Sequence, residues 1–157
     1  MIAPTGEQLG AALGVRRFVD EVAAGAPYPD LAALLGAASA AATPLHPDEI
    51  DEAMAHHPRI GERPAGEGAA QAFSRREQAS ADADDAEVNA AIAAGNAAYE
   101  ERFGRVFLIR AAGRSRAEIL GELRRRLELD DAAELAIVGE QLREIALLRL
   151  RSTFEAA

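Results

Sequence analysis

The chain has 157 residues, a formal net charge of −9, 49% hydrophobic and 4% aromatic residues, and no cysteine. That length suits a single domain with one core, and the acidity argues against non-specific binding to nucleic acid or an anionic membrane. All 17 basic residues are Arg, so the absence of Lys and Cys excludes Schiff-base and thiol catalysis, a Walker A lysine, disulfides, thiolate zinc sites and iron–sulfur clusters. Ala and Leu dominate, which favours helices over strands. No apolar run is long enough to span a bilayer. Met1 to Thr5 lack the basic and apolar regions of a signal peptide, and the C-terminus carries no address signal. These features lead to the expectation of a soluble cytoplasmic protein.

In chain order, Thr5 and Gln8 fit a capping box, followed by Leu9, Leu13, Phe18, Val19 and Val22, with Gly14 as a point of division into two helices. Gly25 to Pro29 reads as a turn, and Asp30 as the cap of a helix carrying Leu31, Leu34, Leu35 and Ala38. Pro47 fits the first position of a short helix with Asp48 and Glu49 at its positive end. Ile50 and Met54 form its inward face, and it is expected to end at His56-His57-Pro58. Residues 59–72 read as a loop, and Ser74 to Gln78 as the start of a new segment. Asp84 or Asp85 starts a longer helix with the stripe Val88, Ile92, Asn96, Tyr99 and Phe103, stopped by Gly104. Val106 to Ile109 is a short apolar run suited to extended backbone. Ser115 with Glu118, and Asp131 with Glu134, read as two further capping boxes. The pattern predicts an all-α, compact single-domain helical bundle of about seven or eight helices over residues 1–157.

Three places could carry chemistry. Pro58 disfavours the α conformation at His57, placing an imidazole at a helix end beside a loop rich in Gly and Arg. It reads either as a proton-transfer group facing an anionic ligand or as a histidine that satisfies a carbonyl. His56 and His57 diverge as neighbours, which weakens a metal reading. Ser74-Arg75-Arg76-Glu77-Gln78 reads as a capping box, and equally as a helix N-terminus whose free N–H groups suit an anion. Arg149 falls at the centre of the stripe Leu135, Val138, Leu142, Ile145, whereas Arg151 points away. A buried Arg needs a partner or an anion, so a structural ion pair and a ligand contact both fit. Asn96 reads as a structural hydrogen bond, and Arg124-Arg125-Arg126 as a solvated helix face.

Taken together, His57 to Glu62 (His-Pro-Arg-Ile-Gly-Glu), Phe73 to Gln78 (Phe-Ser-Arg-Arg-Glu-Gln), Asn96-x-x-Tyr99, Arg102-Phe103-Gly104 and Ile145 to Leu150 resemble OHCU decarboxylase. The name abbreviates its substrate, 2-oxo-4-hydroxy-4-carboxy-5-ureidoimidazoline. The resemblance runs from about Leu13 to Phe154. It implies an all-helical homodimer that performs the last step from urate to (S)-allantoin with no metal or organic cofactor. It also implies that His57 is catalytic and that Pro58 lies against the substrate. Ser74, Arg75, Arg76, Glu77 and Gln78 would hold the substrate, Glu77 being important for activity. The backbone at Phe107, Leu108, Ile109, Arg110 and Ala111 would contact the ring and ureido groups, and Arg149 matches the Arg near the end of the last helix. The chain departs from the family pattern at residues 37–42, which are Ala-rich, and at the acidic stretch 81–86. A non-catalytic helical binding or adaptor module, and a related decarboxylase acting on another ureido or imidazolone acid, are the alternative readings.

Overall fold

The structure, a computed structural model, describes residues 1–55, 57 and 69–155. His56, Pro58 and residues 59–68 of the expected loop lie outside the described residues. Among the described residues there are eight helices and no strand, apart from one isolated bridge between Ile2 and Tyr28. The chain divides into two compact units, Met1–His56 with Gly139–Ala157, and His57–Val138.

The first unit holds α1 (Gly6–Ala12), α2 (Arg16–Ala24), α3 (Leu31–Ala41) and α4 (Pro47–Met54), with most of α8 (Asp131–Phe154). The Thr5 box forms as expected: Gln8 N donates to Thr5 Oγ1 at 3.1 Å, and Thr5 N donates to Gln8 Oε1 at 2.9 Å. The break near Gly14 is real, with Leu13 and Val15 in extended backbone. Val15 offers no capping side chain to α2, and Glu52 supplies the acceptor instead, taking the Arg16 N–H at 2.8 Å. Asp30 caps α3 through Ala33 N at 2.8 Å. Pro47 opens α4. That helix ends at Met54, short of the His-Pro step. A proline ring clashes with the carbonyl four residues before it, and for Pro58 that carbonyl is Met54's. The inward face of α4 is Ile50 and Ala53, both buried, with Met54 half-buried.

The second unit holds α5 (Ala69–Glu77), α6 (Ala86–Phe103), α7 (Arg116–Arg126) and the start of α8. Asp85 caps α6 through Glu87 N and Val88 N, and Gly104 ends it with φ 72°. A left-handed residue here suits Gly, which pays no Cβ penalty. Gly95 has a different use: a Cβ there would lie 2.5 Å from Leu123 Cδ2, so its absence permits the approach of α6 and α7. Ile92, Tyr99, Phe107, Ile109, Ala111, Ile119 and Leu123 form the buried cluster of this unit. Val106 to Ala111 takes neither helix nor strand, yet Phe107, Leu108, Ile109 and Ala111 are buried.

Three expectations are corrected. Ser74 lies inside α5, which starts at Ala69; Ala69, Ala70, Gln71 and Ala72 are strong helix formers and extend the helix upstream of the Ser. The cap of α8 is Asp130, whose Oδ1 accepts from Ala133 N at 2.7 Å, so Asp131 is already helical. Glu134 does not reach back as a capping partner, because its carboxylate is fully buried against Arg126. Arg126 is therefore no part of a solvated face. It lies seven residues after Ile119 and three after Leu123, which puts it on their inward stripe, while Arg124 and Arg125 stay exposed.

Candidate active site

The site residues expected from sequence fall mainly in the second unit. His57 is half-buried and outside any helix, as its position before Pro58 requires. Glu77 and Gln78 are half-buried at the C-terminal end of α5, and Arg75 and Arg76 are exposed. Arg76 stacks its guanidinium over Phe73, 4.8 Å from the ring centroid. Because 74–77 is the last turn of a helix rather than its first, the anion site of free N–H groups proposed from the Ser-x-x-Glu pattern is not formed there. The last turn carries orphan carbonyls, which Arg75 and Arg76 complement.

What fixes the end of α5 is the segment that follows. Arg116 Nη2 donates to the Gln78 carbonyl at 3.2 Å. Asp82 accepts two backbone N–H groups from the first turn of α7, Arg116 N at 2.7 Å and Ala117 N at 3.0 Å. Ser80 Oγ donates to the same carboxylate at 3.0 Å. The Arg116 N–H bond, the second N–H and the Ser80 hydroxyl hold the Asp82 carboxyl below its usual range, against the opposing effect of desolvation. Asp82 thus completes the cap begun by Ser115, whose Oγ accepts from Glu118 N at 3.0 Å. The acidic stretch 81–86, which departs from the family pattern, contains this anchor.

The backbone from Phe107 to Ala111 is fixed at the other end of α7. Arg126 Nη1 donates to the Leu108 carbonyl at 2.7 Å. Arg126 Nε reaches both Glu134 oxygens, at 2.9 and 3.1 Å, and Nη2 also meets this carboxylate. Tyr99 Oη donates to Glu134 Oε1 at 2.6 Å. Burial, reinforced by the bond to Glu134, pushes the Tyr99 phenol up to about 12. Phe107 packs between these groups, 4.6 Å from the Arg126 guanidinium and 5.2 Å from the Tyr99 ring in an edge-to-face arrangement. Further on, Arg114 Nε donates to the Arg110 carbonyl at 2.9 Å, and Arg110 Nη1 to Ala112 O at 3.1 Å. The segment therefore runs back along α7 from its C-terminal to its N-terminal end, where Gln78 is also held.

Arg149 belongs to the first unit. Its inward phase is as expected: it is 4% exposed, and Nη1 donates to the Ala11 carbonyl in the last turn of α1 at 2.9 Å, while Arg151 is exposed. Asn96 is buried on its stripe. Among the described residues, no three His, Asp or Glu side chains converge as a metal site would require, and no helix is long and apolar enough to cross a membrane. Sequence reasoning missed the roles of Arg126, Glu134, Arg116 and Asp82. Helical phase could have found Arg126; nothing local marks the reach of Asp82 to α7, whose bonded residues are 34 and 35 positions away.

Residues 5–151 match the family model for OHCU decarboxylase. Over 107 residues the chain is 36% identical to the uric acid degradation bifunctional protein TTL of Arabidopsis thaliana, a match covering 66% of this chain and 33% of that protein. The chain thus spans about a third of the length of this curated relative. Its fold is similar to that of a crystal structure of OHCU decarboxylase in the presence of (S)-allantoin. The TM-score is 0.79 at 24% identity, covering 95% of this chain and 98% of the other.

Proposed function

Because the chain belongs to the OHCU decarboxylase family, we propose that it converts 2-oxo-4-hydroxy-4-carboxy-5-ureidoimidazoline to (S)-allantoin and carbon dioxide, the last step of urate oxidation to allantoin. The observation that carries this reading is the family match over residues 5–151, within which fall all the residues that the motifs single out. The reading treats residues 1–157 as one functional domain.

The substrate carries its own electron sink. When the bond to the carboxylate breaks, its electron pair moves toward the adjoining ring C=N, giving an enol-type species, and the ring nitrogen takes up a proton. Proton delivery to the neighbouring carbon and loss of the hydroxyl proton then give allantoin, and the face of delivery sets its configuration. Such a reaction asks the protein for orientation, exclusion of water and proton transfer, which together lower a barrier substantially. His57 exchanges the proton with the hydroxyl or carboxylate region. Glu77 accepts hydrogen bonds from ring or ureido N–H groups, Gln78 adds an amide, and the backbone of Phe107 to Ala111 contacts the ring and ureido group. Pro58, Ser74, Arg75 and Arg76 complete the substrate-holding set, and Arg149 is the cation for anionic charge. The anchoring of Gln78 and Leu108 to the two ends of α7 supports this assignment, since a positioned reactant needs fixed walls.

The reading includes a reaction without metal or organic cofactor, a homodimeric assembly and a cytoplasmic location. Activity after exhaustive chelation and the mass from light scattering test the first two. The function itself is tested by generating the unstable substrate from urate with the two upstream enzymes and following circular dichroism where allantoin absorbs. Added protein is expected to accelerate formation of a single enantiomer; racemic product at the spontaneous rate overturns the proposal.

A further inference from the structure

The segment from Val106 to Ala111 has no strand ladder to define its course, so side chains must set it. The side chains that do so form a buried polar group. Arg126 and Glu134 have no exposure, Tyr99 none, and Phe107 and Leu108 are 1% and 4% exposed. A buried ion pair of this kind is seldom better for stability than apolar residues of the same shape. Its effect here is geometric: Arg126 spends one edge on Glu134 and extends Nη1 to the Leu108 carbonyl, while its face covers Phe107. Tyr99 in turn fixes Glu134 from α6. The guanidinium thus holds two consecutive residues of the segment, one by its carbonyl and one by its ring.

We propose that Arg126, held by Glu134 and Tyr99, is a positioning residue that sets the Phe107–Ala111 backbone for substrate binding. It touches no substrate; it acts through the Leu108 carbonyl and the Phe107 ring. The proposal rests on the functional reading above, in which that backbone contacts the ring and ureido groups. Lys cannot replace Arg, because an ammonium is a point charge without the planar fork that serves Glu134 and Leu108 together.

Two variants test it. Arg126→Lys keeps the charge, and Arg126→Met with Glu134→Gln removes both charges together, so no ion is left buried alone. Circular dichroism and thermal melting establish that each is folded. In both, KM is expected to rise about tenfold, from the misplaced backbone. Backbone hydrogen exchange in a peptide covering residues 106–112 is expected to quicken, while peptides from α2 and α3 keep their protection. A purely structural role would lower the folded fraction and hence apparent kcat, leaving KM unchanged. Unchanged KM in both folded variants, with an active wild-type protein, overturns the positioning role alone. A wild-type protein that shows no turnover overturns the functional reading and this proposal with it.

Discussion

Each unit carries an arginine that bonds a carboxylate and a backbone carbonyl, and the two networks differ mainly in burial. In the first unit Arg17 bonds Glu49 and Glu21, each at 2.5 Å, and the Ala41 carbonyl at 2.9 Å, with its side chain 43% exposed. In the second, Arg126 bonds Glu134 and the Leu108 carbonyl with side chains at 1% and 0% exposure. The hydrogen bond to Glu49 holds the Arg17 guanidinium above its ordinary pKa, and the same bond holds Glu49 below its own. Water screens that network and competes for its partners, so it joins α2, α3 and α4 without depending on any one bond. The Arg126 network has no water to fall back on. Removing either partner leaves a charge in a dry interior, whereas the intact pair defines where one chain segment lies.

The largest effect is expected from Glu134→Ala, which leaves the Arg126 charge buried; unfolding in urea is expected to show a loss of about 3–5 kcal/mol. Tyr99→Phe removes one hydrogen bond to the same carboxylate and keeps the ring, and the loss is expected to be about 1–3 kcal/mol. This variant also sharpens the pH dependence. The Tyr99 phenol titrates at about 12 in the folded protein and near 10 in an unfolded chain. The folded state therefore keeps its proton longer. The resulting stabilisation is complete below about pH 10 and is lost as pH rises toward about 12. Wild-type stability should fall across that window, and the fall should be smaller in Tyr99→Phe. The smallest effect belongs to Arg17→Ala, about 0.2–1 kcal/mol, and it should shrink further in high salt. A larger loss at Arg17 than at Glu134 would invert the comparison.

Much of the fold was legible because the relevant signals are local. Thr5, Asp30, Asp85, Gly104 and Ser115 mark helix ends through bonds to residues two to four positions away, Pro47 marks one by its fixed φ at the first helical position, and the structure places them so. The phase of Arg149 was legible for a similar reason, since the α8 stripe fixes it. In α7 three consecutive arginines read as one surface, although Arg126 shares the inward stripe of Ile119 and Leu123. The Ser74 pattern misled because a four-residue motif is weaker than the helix propensity of the alanines before it. Glu134 misled because its capping role and its burial compete, and the partner that decides between them is Arg126, eight residues upstream. The contacts of Asp82 with α7 arise from chain topology, and no local pattern encodes them.

His57 is the one group to which the proposed reaction assigns proton transfer. The most direct measurement follows the circular dichroism of allantoin formed from freshly generated substrate, with wild-type protein and with a folded His57→Asn variant side by side. Rapid formation of (S)-allantoin is expected with the wild type, and a loss of about a hundredfold or more in the variant, the scale of a positioned acid–base group. A variant that yields optically pure (S)-allantoin at a near wild-type rate would contradict it.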